Sequence, residues 1–468
     1  RLRTRKGMAL TEAAVDFLIY LVVYVFYNKV VVIGKPPLEG PTIFAGNHPN
    51  GLLDAIVVRR ACGRRLASVA KDTLFKVPVL GSLMRAGGAV PVKRRQDHGE
   101  SQQNNDDVFV ELHKVLGAGG AMCIFPEGIT HDQADITPLK FGIAKIAYGT
   151  VEATKTTLRV VPTGLSYVAK DKFRSDVVVE FGEPIILDEA GLEAYHLDKA
   201  KAYSDLMMEL DAKLHMVCLT SPDGKWETLM LLHLARELYT PSDYRTTIEE
   251  DYKLMRAAIT IYSQSLKDGN PVAAECVKEL RDYKRALDLV ALTHKDLNDH
   301  TAGQNVIQML HSALISLVLV PLALPGVVVH GPVLMVLRQL VNHALKKEKD
   351  APISVGATYK VLGSMVFLPA LYGGLFGYMC STVGPVPASV VTAGCIGSGL
   401  LATRLKPFLS LHGWARVLFR PLRLLLFDAK ALRDQRDCLK VKLRSAVEEF
   451  APEVTGSVLK RRATFAAK

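Results

Sequence analysis

The sequence predicts an α/β domain built on a central sheet flanked by helices, then a helical extension, then a C-terminal transmembrane helical region. Three observations predict it. From about residue 29 to 186, short apolar runs alternate with longer helically periodic segments, the pattern of strands interleaved with covering helices. Residues 190 to 300 interleave charge with Leu, Met and Tyr at helical spacing. Val361 to Thr403 contains no charged residue at all, with Gly384-Pro385-Val386-Pro387 in its middle.

The chain opens on Arg1, Arg3, Arg5 and Lys6, and Phe17 to Asn28 is uncharged. Glu12 and Asp16 precede that run and no small-residue cleavage site follows it, which argues against a signal peptide. Twelve residues are also too few to span a bilayer. We read residues 1–28 as an N-terminal membrane-associated region, its helix lying in or dipping into the interface. Lys29–Ile33, Thr42–Ala45, Leu66–Ala70, Ala89–Val92, Ala121–Phe125, Thr157–Leu165 and Val177–Gly182 read as strands. Thr11–Tyr27, Leu52–Ala61, Leu74–Arg85, Asp106–Leu116 and Leu139–Val151 read as helices before and between them. Together they outline a domain over 29–188.

Residues 189–303 form the helical extension, with Leu206–Leu214, Glu227–Tyr239 and Leu254–Leu266 among its helices. Residues 304–405 form the membrane region. Val361–Thr403 is long enough for two spans, a hairpin. Val306–Leu337 holds Pro321, Pro325 and Gly326, and we expect a re-entrant pair broken at the prolines. Residues 406–468 read as a basic amphipathic cytosolic tail: from Arg404 onward there are fifteen Lys or Arg against six Asp or Glu, and Leu411–Phe427 has the character of an interfacial helix.

The formal charge is +11, and this tail supplies most of it. No nucleic-acid motif accompanies it, so a membrane surface is the expected partner rather than nucleic acid. The seven cysteines are scattered, without a Cys-x-x-Cys pair or clustered histidines, which argues against zinc or a disulfide framework and fits a reducing compartment. We expect no metal and no cofactor.

The chemistry gathers around Asn47-His48-Pro49-Asn50-Gly51-Leu52-Leu53-Asp54, where a strand gives way to a helix. Histidine near neutrality can take a proton from a hydroxyl, and a carboxylate on its other nitrogen fixes the tautomer and stabilises the imidazolium. Six positions at about 100° each would place His48 and Asp54 about 120° apart on a continuous helix, so His48 must sit in the Pro-Asn-Gly turn. Arg94 is suited to bidentate phosphate binding, reinforced by Lys93 and Lys140. Glu127 would repel a phosphate dianion and is better placed to accept from acceptor hydroxyls or pin a basic residue. Gly128 permits close backbone approach. No serine or cysteine sits in a nucleophile elbow, and His131 reads as a loop residue.

Four motifs in order, the His48–Asp54 turn, Gly88-Ala89-Val90-Pro91-Val92-Lys93-Arg94, Phe125-Pro126-Glu127-Gly128 and Val160-Val161-Pro162, resemble the glycerolipid acyltransferase superfamily over about residues 30–185. The five residues between His48 and Asp54, and Ile129-Thr130-His131-Asp132 after Gly128, look like its fungal-type glycerol-3-phosphate/dihydroxyacetone-phosphate acyltransferases. The resemblance implies an α/β acyltransferase domain with a central mixed sheet, His48 as general base and Asp54 as its orienter. It further implies acceptor phosphate on Arg94, acceptor shaping by Glu127 and Gly128, acyl-CoA as co-substrate, and an endoplasmic reticulum location. A lysophosphatidate acyltransferase is the alternative within the class, disfavoured by the His–Asp spacing. A non-catalytic lipid-binding scaffold is the alternative of another class, opposed by the presence of every expected site residue. A transporter would need ionisable groups within its spans, which Val361–Thr403 lacks.

Overall fold

The computed structural model describes residues 2–77, 80–93, 106–170, 172, 174–240, 246–269, 271–297, 302–347, 353–404 and 430–450. They form two compact units, residues 1–220 with 344–361 and residues 221–343 with 362–468.

The first unit is organised by an eight-stranded sheet: β1 (Tyr27–Ile33), β2 (Thr42–Gly46), β3 (Leu66–Lys71), β4 (Ala89–Val92), β5 (Ala121–Ile124), β6 (Leu158–Tyr167), β7 (Ser175–Phe181) and β8 (Ile185–Leu187). The order is β1-β7-β6-β2-β5-β3-β4, with β8 also on β6. β2, β5, β3 and β4 are mutually parallel, so their C-terminal ends share one edge. β6 runs antiparallel to β7 and β8, which makes the sheet mixed. The expected fold class is borne out.

β2 is buried at all five positions, as an uncharged strand covered on both faces must be. Ile43 and Ala45 point to one side with Met122 of β5. There they join Leu112 and Leu116 of α4 (Asp106–Gly117) and Ile146 and Val151 of α5 (Gly142–Thr154). Phe44 points the other way and meets Phe181 edge-on at 5.4 Å. On that side α2 (Leu52–Cys62) buries Leu53, Val57 and Val58, and α1 (Leu2–Phe26) packs on α2. Val15, Val22, Val23 and Phe26 of α1 are buried while Phe17, Tyr20, Leu21 and Tyr24 are exposed, so α1 is part of the unit on one face and apolar toward its surroundings on the other.

Several boundaries differ from expectation for identifiable reasons. Leu74–Arg85 is not one helix: a 3₁₀ turn, Asp72–Lys76, is followed by α3 (Leu80–Ala86), because Pro78 forces Val77 into extended backbone. Val160-Val161-Pro162 lies inside β6, which runs two residues past the strand read over Thr157–Leu165. Pro162 is tolerated there because β8 pairs with Leu158–Val160 and β7 with Thr163–Tyr167, so the missing N–H falls where one partner hands over to the other. The domain also runs past 188. The Leu206, Leu210 and Leu214 stripe of α7 (Lys199–Val217) and Leu192 of α6 (Glu189–Leu197) are buried in the same core as the sheet.

In the second unit α8 (Trp226–Tyr239), α10 (Pro271–Leu289) and α14 (Lys430–Phe450) bury Leu231, Leu238, Leu280, Tyr283, Leu439 and Leu443 in one cluster. α9 (Ile248–Lys267) starts on a Thr247/Glu250 capping box. The described part of the basic tail is therefore not free: α14 closes the helical extension's core, and buried Arg436 donates to Leu297 O at 2.6 Å. Leu411–Phe427 lies outside the described residues.

Among the described residues three helices have stretches long and apolar enough to cross a membrane: Pro321–Lys346 in α11 (Ala302–Lys347), Val355–Val383 in α12 (Ile353–Val383) and Pro385–Ala402 in α13 (Pro385–Arg404). The hairpin turns at Gly384, whose φ is +90°, and Pro385 opens α13, where its missing N–H costs nothing. The re-entrant pair is corrected to a single helix that runs through Pro321, Pro325 and Pro332. Ser398 Oγ of α13 donates to Leu322 O at 2.8 Å and accepts from Gly326 N at 2.8 Å, taking the place of the helical rung beside Pro325.

Candidate active site

The site is built on the edge where the parallel strands end. β2 stops at Gly46, and Asn47 clasps β6 with both ends of its amide: Nδ2 donates to Leu165 O at 3.0 Å and Oδ1 accepts from Leu165 N at 2.7 Å. His48 follows in the turn, its backbone N–H donating to Glu127 Oε1 at 2.8 Å and its ring stacked on Phe125 at 4.3 Å. Gly51 has a φ of +59° and precedes α2. This turn brings the two residues together despite their spacing: His48 Nδ1 and Asp54 Oδ2 lie 2.9 Å apart.

Asp54 is fully buried in the first turn of α2. Its Oδ2 also accepts from Asn50 N at 2.8 Å, and its Oδ1 accepts from the Tyr167 hydroxyl at 2.6 Å. A carboxylate so placed against Nδ1 can hold a proton there and leave Nε2 to act as the base.

Glu127, on the loop after β5, follows the second of its two expected uses and pins a basic residue, His131. Its buried carboxylate is occupied by protein donors: His48 N on Oε1, and His131 Nε2, Thr137 N and Thr137 Oγ1 on Oε2, the threonine contacts both at 2.8 Å. Burial works against the charge, but the bonds from His131 and Thr137 outweigh it and hold the carboxyl below its ordinary value. Glu127 thus ties the His48 turn to the Phe125–Thr137 loop. His131, expected as a plain loop residue, is half of this tie; Gln133 N donates to its Nδ1 at 3.1 Å, which puts the proton on Nε2, facing Glu127.

Gly128 has a φ of +69°, and a Cβ there would stand 2.6 Å from Lys140 Nζ. Glycine is required for both the backbone and the passage of the ammonium. Lys93 is exposed just beyond β4, on the same edge. Arg94 lies outside the described residues. Asn47, Tyr167 and His131 went unrecognised because their roles depend on partners that only the fold supplies, Leu165 and Asp54 for the first two; for His131 the one signal was its i+4 spacing from Glu127.

A sheet edge that presents a histidine–carboxylate pair beside cationic side chains defines a class, the acyltransferase-type α/β domain, and residues 29–166 match the acyltransferase family. Residues 231–455 match the glycerol-3-phosphate acyltransferase 2 C-terminal domain. The chain is thus similar over its first part to an acyltransferase domain and over its second to the glycerol-3-phosphate acyltransferase 2 C-terminal domain, and the resemblance read from the motifs is borne out. Among curated relatives, glycerol-3-phosphate O-acyltransferase 2 of Saccharomyces cerevisiae is 31% identical over 58% of this chain and 37% of its own length. Glycerol-3-phosphate O-acyltransferase 1 of the same yeast is 25% identical over 76% of this chain and 59% of its own. An uncharacterized acyltransferase of Schizosaccharomyces pombe is 23% identical over 92% and 79%. The chain thus spans between a third and three fifths of the two budding-yeast relatives.

Proposed function

We propose that the protein is a membrane-bound acyl-CoA-dependent glycerol-3-phosphate acyltransferase. The acceptor is glycerol-3-phosphate, with dihydroxyacetone phosphate as a second small acceptor. The observation that carries this reading is the 2.9 Å contact between His48 and buried Asp54, in a chain whose C-terminal half matches the glycerol-3-phosphate acyltransferase 2 C-terminal domain. His48 Nε2 removes the proton of the sn-1 hydroxyl as its oxygen attacks the thioester carbonyl. Asp54 stabilises the imidazolium that forms. The tetrahedral intermediate then expels the coenzyme A thiolate, which takes that proton, and lysophosphatidate is released.

Lys140, Lys93 and Arg94 supply positive charge for the acceptor phosphate. Four protein donors hold the Glu127 carboxylate, so its charge is committed to the loop and not to the phosphate. The apolar helices anchor the enzyme in the endoplasmic reticulum membrane, with the active site on the cytosolic face.

The test is acyl transfer by detergent-solubilised protein with palmitoyl-CoA and, in parallel, glycerol-3-phosphate, dihydroxyacetone phosphate and lysophosphatidate. We expect the small acceptors to react and His48→Ala to lose about 10²- to 10⁴-fold in kcat. Reaction of lysophosphatidate alone would replace this reading with the later acylation step, and folded protein inert toward all three acceptors would favour a lipid-binding scaffold.

A further inference from the structure

Behind the His48–Asp54 pair stands a row of hydroxyl and amide groups that acyl transfer by itself does not call for. Tyr167, near the end of β6, turns its hydroxyl onto Asp54 Oδ1 at 2.6 Å. Tyr27, the first residue of β1 after α1, packs its ring 5.9 Å from that of Tyr167, tilted by 39°. Asn50, buried in the catalytic turn itself, donates from Nδ2 to the Tyr27 hydroxyl at 3.3 Å and to Lys170 O at 3.1 Å. The row therefore leaves the turn at Asn50 and returns to it at Asp54. It passes through two strands that are not adjacent in the sheet. The end of α1 is pinned beside it, since Arg174 donates from its backbone to Phe26 O at 2.6 Å and from its side chain to Tyr24 O at 2.8 Å.

We propose that Tyr167 is a positioning residue for the His48–Asp54 pair, held in place by Tyr27 and Asn50. The proposal rests on the acyl-transfer reading of that pair. Asp54 Oδ2 is shared by His48 Nδ1 and Asn50 N, whereas Oδ1 has Tyr167 as its donor. A carboxylate anchored at only one oxygen can rotate about its Cβ–Cγ bond, and the imidazole would follow it. The phenol also draws charge from the carboxylate, so Asp54 attracts the imidazolium less strongly than it would alone. Tyrosine is suited to this because burial and the Asp54 charge raise its pKa well above the ordinary value, keeping it a donor across the working pH range. The titratable or charged groups beside the pair are Tyr27, Tyr167, the buried Cys123 thiol of β5 and, through the His48 backbone, Glu127 with His131.

Tyr167→Phe keeps the ring and removes only the donor, and it should be measured beside His48→Ala. On the pH plateau we expect kcat to fall about tenfold at unchanged KM for the acceptor, one charge-assisted hydrogen bond's worth of geometry. The acid limb of kcat/KM should move to higher pH, because Asp54 without its donor holds the imidazolium more tightly. Tyr27→Phe should move the limb in the same direction by less. A purely structural role would lower the melting temperature and leave the limb in place. An acid limb unchanged in both variants, with kcat within about twofold of wild type, overturns the proposal while an inactive His48→Ala leaves the base assignment standing. Activity in His48→Ala would overturn the reading beneath it.

Discussion

β2 and α11 are rich in the same residue types and treat them in opposite ways. Ile43, Phe44 and Ala45 are fully buried by protein on both faces of the sheet. Leu317, Leu322 and Val328 of α11 stand well exposed along a helix whose span-length part is only 11% buried within the protein. In the first case the hydrophobic effect is satisfied by folding and also fixes the His48 turn at the strand's end; in the second the apolar surface is left uncovered by protein, as a bilayer would require. Packing determines position in one region and partition in the other. Polar bonds such as Ser398 on Leu322 and Gly326 are what specify helix contacts where lipid and leucine are equally apolar.

The widest test of that contrast is Phe44→Ala. It removes a ring seated against Phe181 at the core of the sheet and should cost about 3–5 kcal/mol, read as a lower midpoint in chemical denaturation. A cost below about 1 kcal/mol would mean that the sheet is not closed on that side. Glu127→Gln sharpens the comparison within the first unit. The folded pKa of Glu127 is depressed, so its stabilisation is complete above the ordinary carboxylate value and is lost as pH falls through the lower folded value. The variant should lose about 1–2 kcal/mol at neutral pH, and the difference from wild type should shrink as the pH is taken below about 4. A difference that stays constant down to that pH would show that the carboxylate charge is not what holds the loop. The smallest effect is expected at Val328→Ala, where the exposed side chain should change detergent-phase stability by less than about 0.5 kcal/mol. A larger loss would reveal a protein surface covering α11.

Most of the sheet was legible because its strands are short, apolar and bounded by Gly, Pro and charge. Thr42–Ala45 and Ala89–Val92 were placed within a residue of their limits. The His48–Asp54 contact was legible as well, since the Pro-Asn-Gly turn removed the angular objection to it. What stayed hidden depends on pairing at a distance. Tyr167 reaches Asp54 across 113 positions, and Asn47 finds Leu165 across 118. Neither residue type advertises such a partner. The domain limit at 188 fell short of α6 and α7 for a related reason: a Leu stripe at helical spacing says that a face is buried, not which core buries it. Likewise the prolines of α11 signalled broken backbone hydrogen bonds, but the groups that replace them come from Ser398, more than seventy residues away.

The cluster joining α8, α10 and α14 has a consequence for how the chain is threaded. Leu231 and Leu280 precede the three span-length helices, and Leu439 and Leu443 follow them, yet all four share one core whose outer faces carry charge, including the Lys442–Glu279 ion pair. A core cannot close through a bilayer. The chain must therefore return to the leaflet it left, and the complete crossings between Leu297 and Lys430 must be even in number. Three helices of spanning length among the described residues are an odd number, so they do not all make complete crossings by themselves. Under that parity the chain leading into α11 and the chain of α14 open onto the same aqueous compartment.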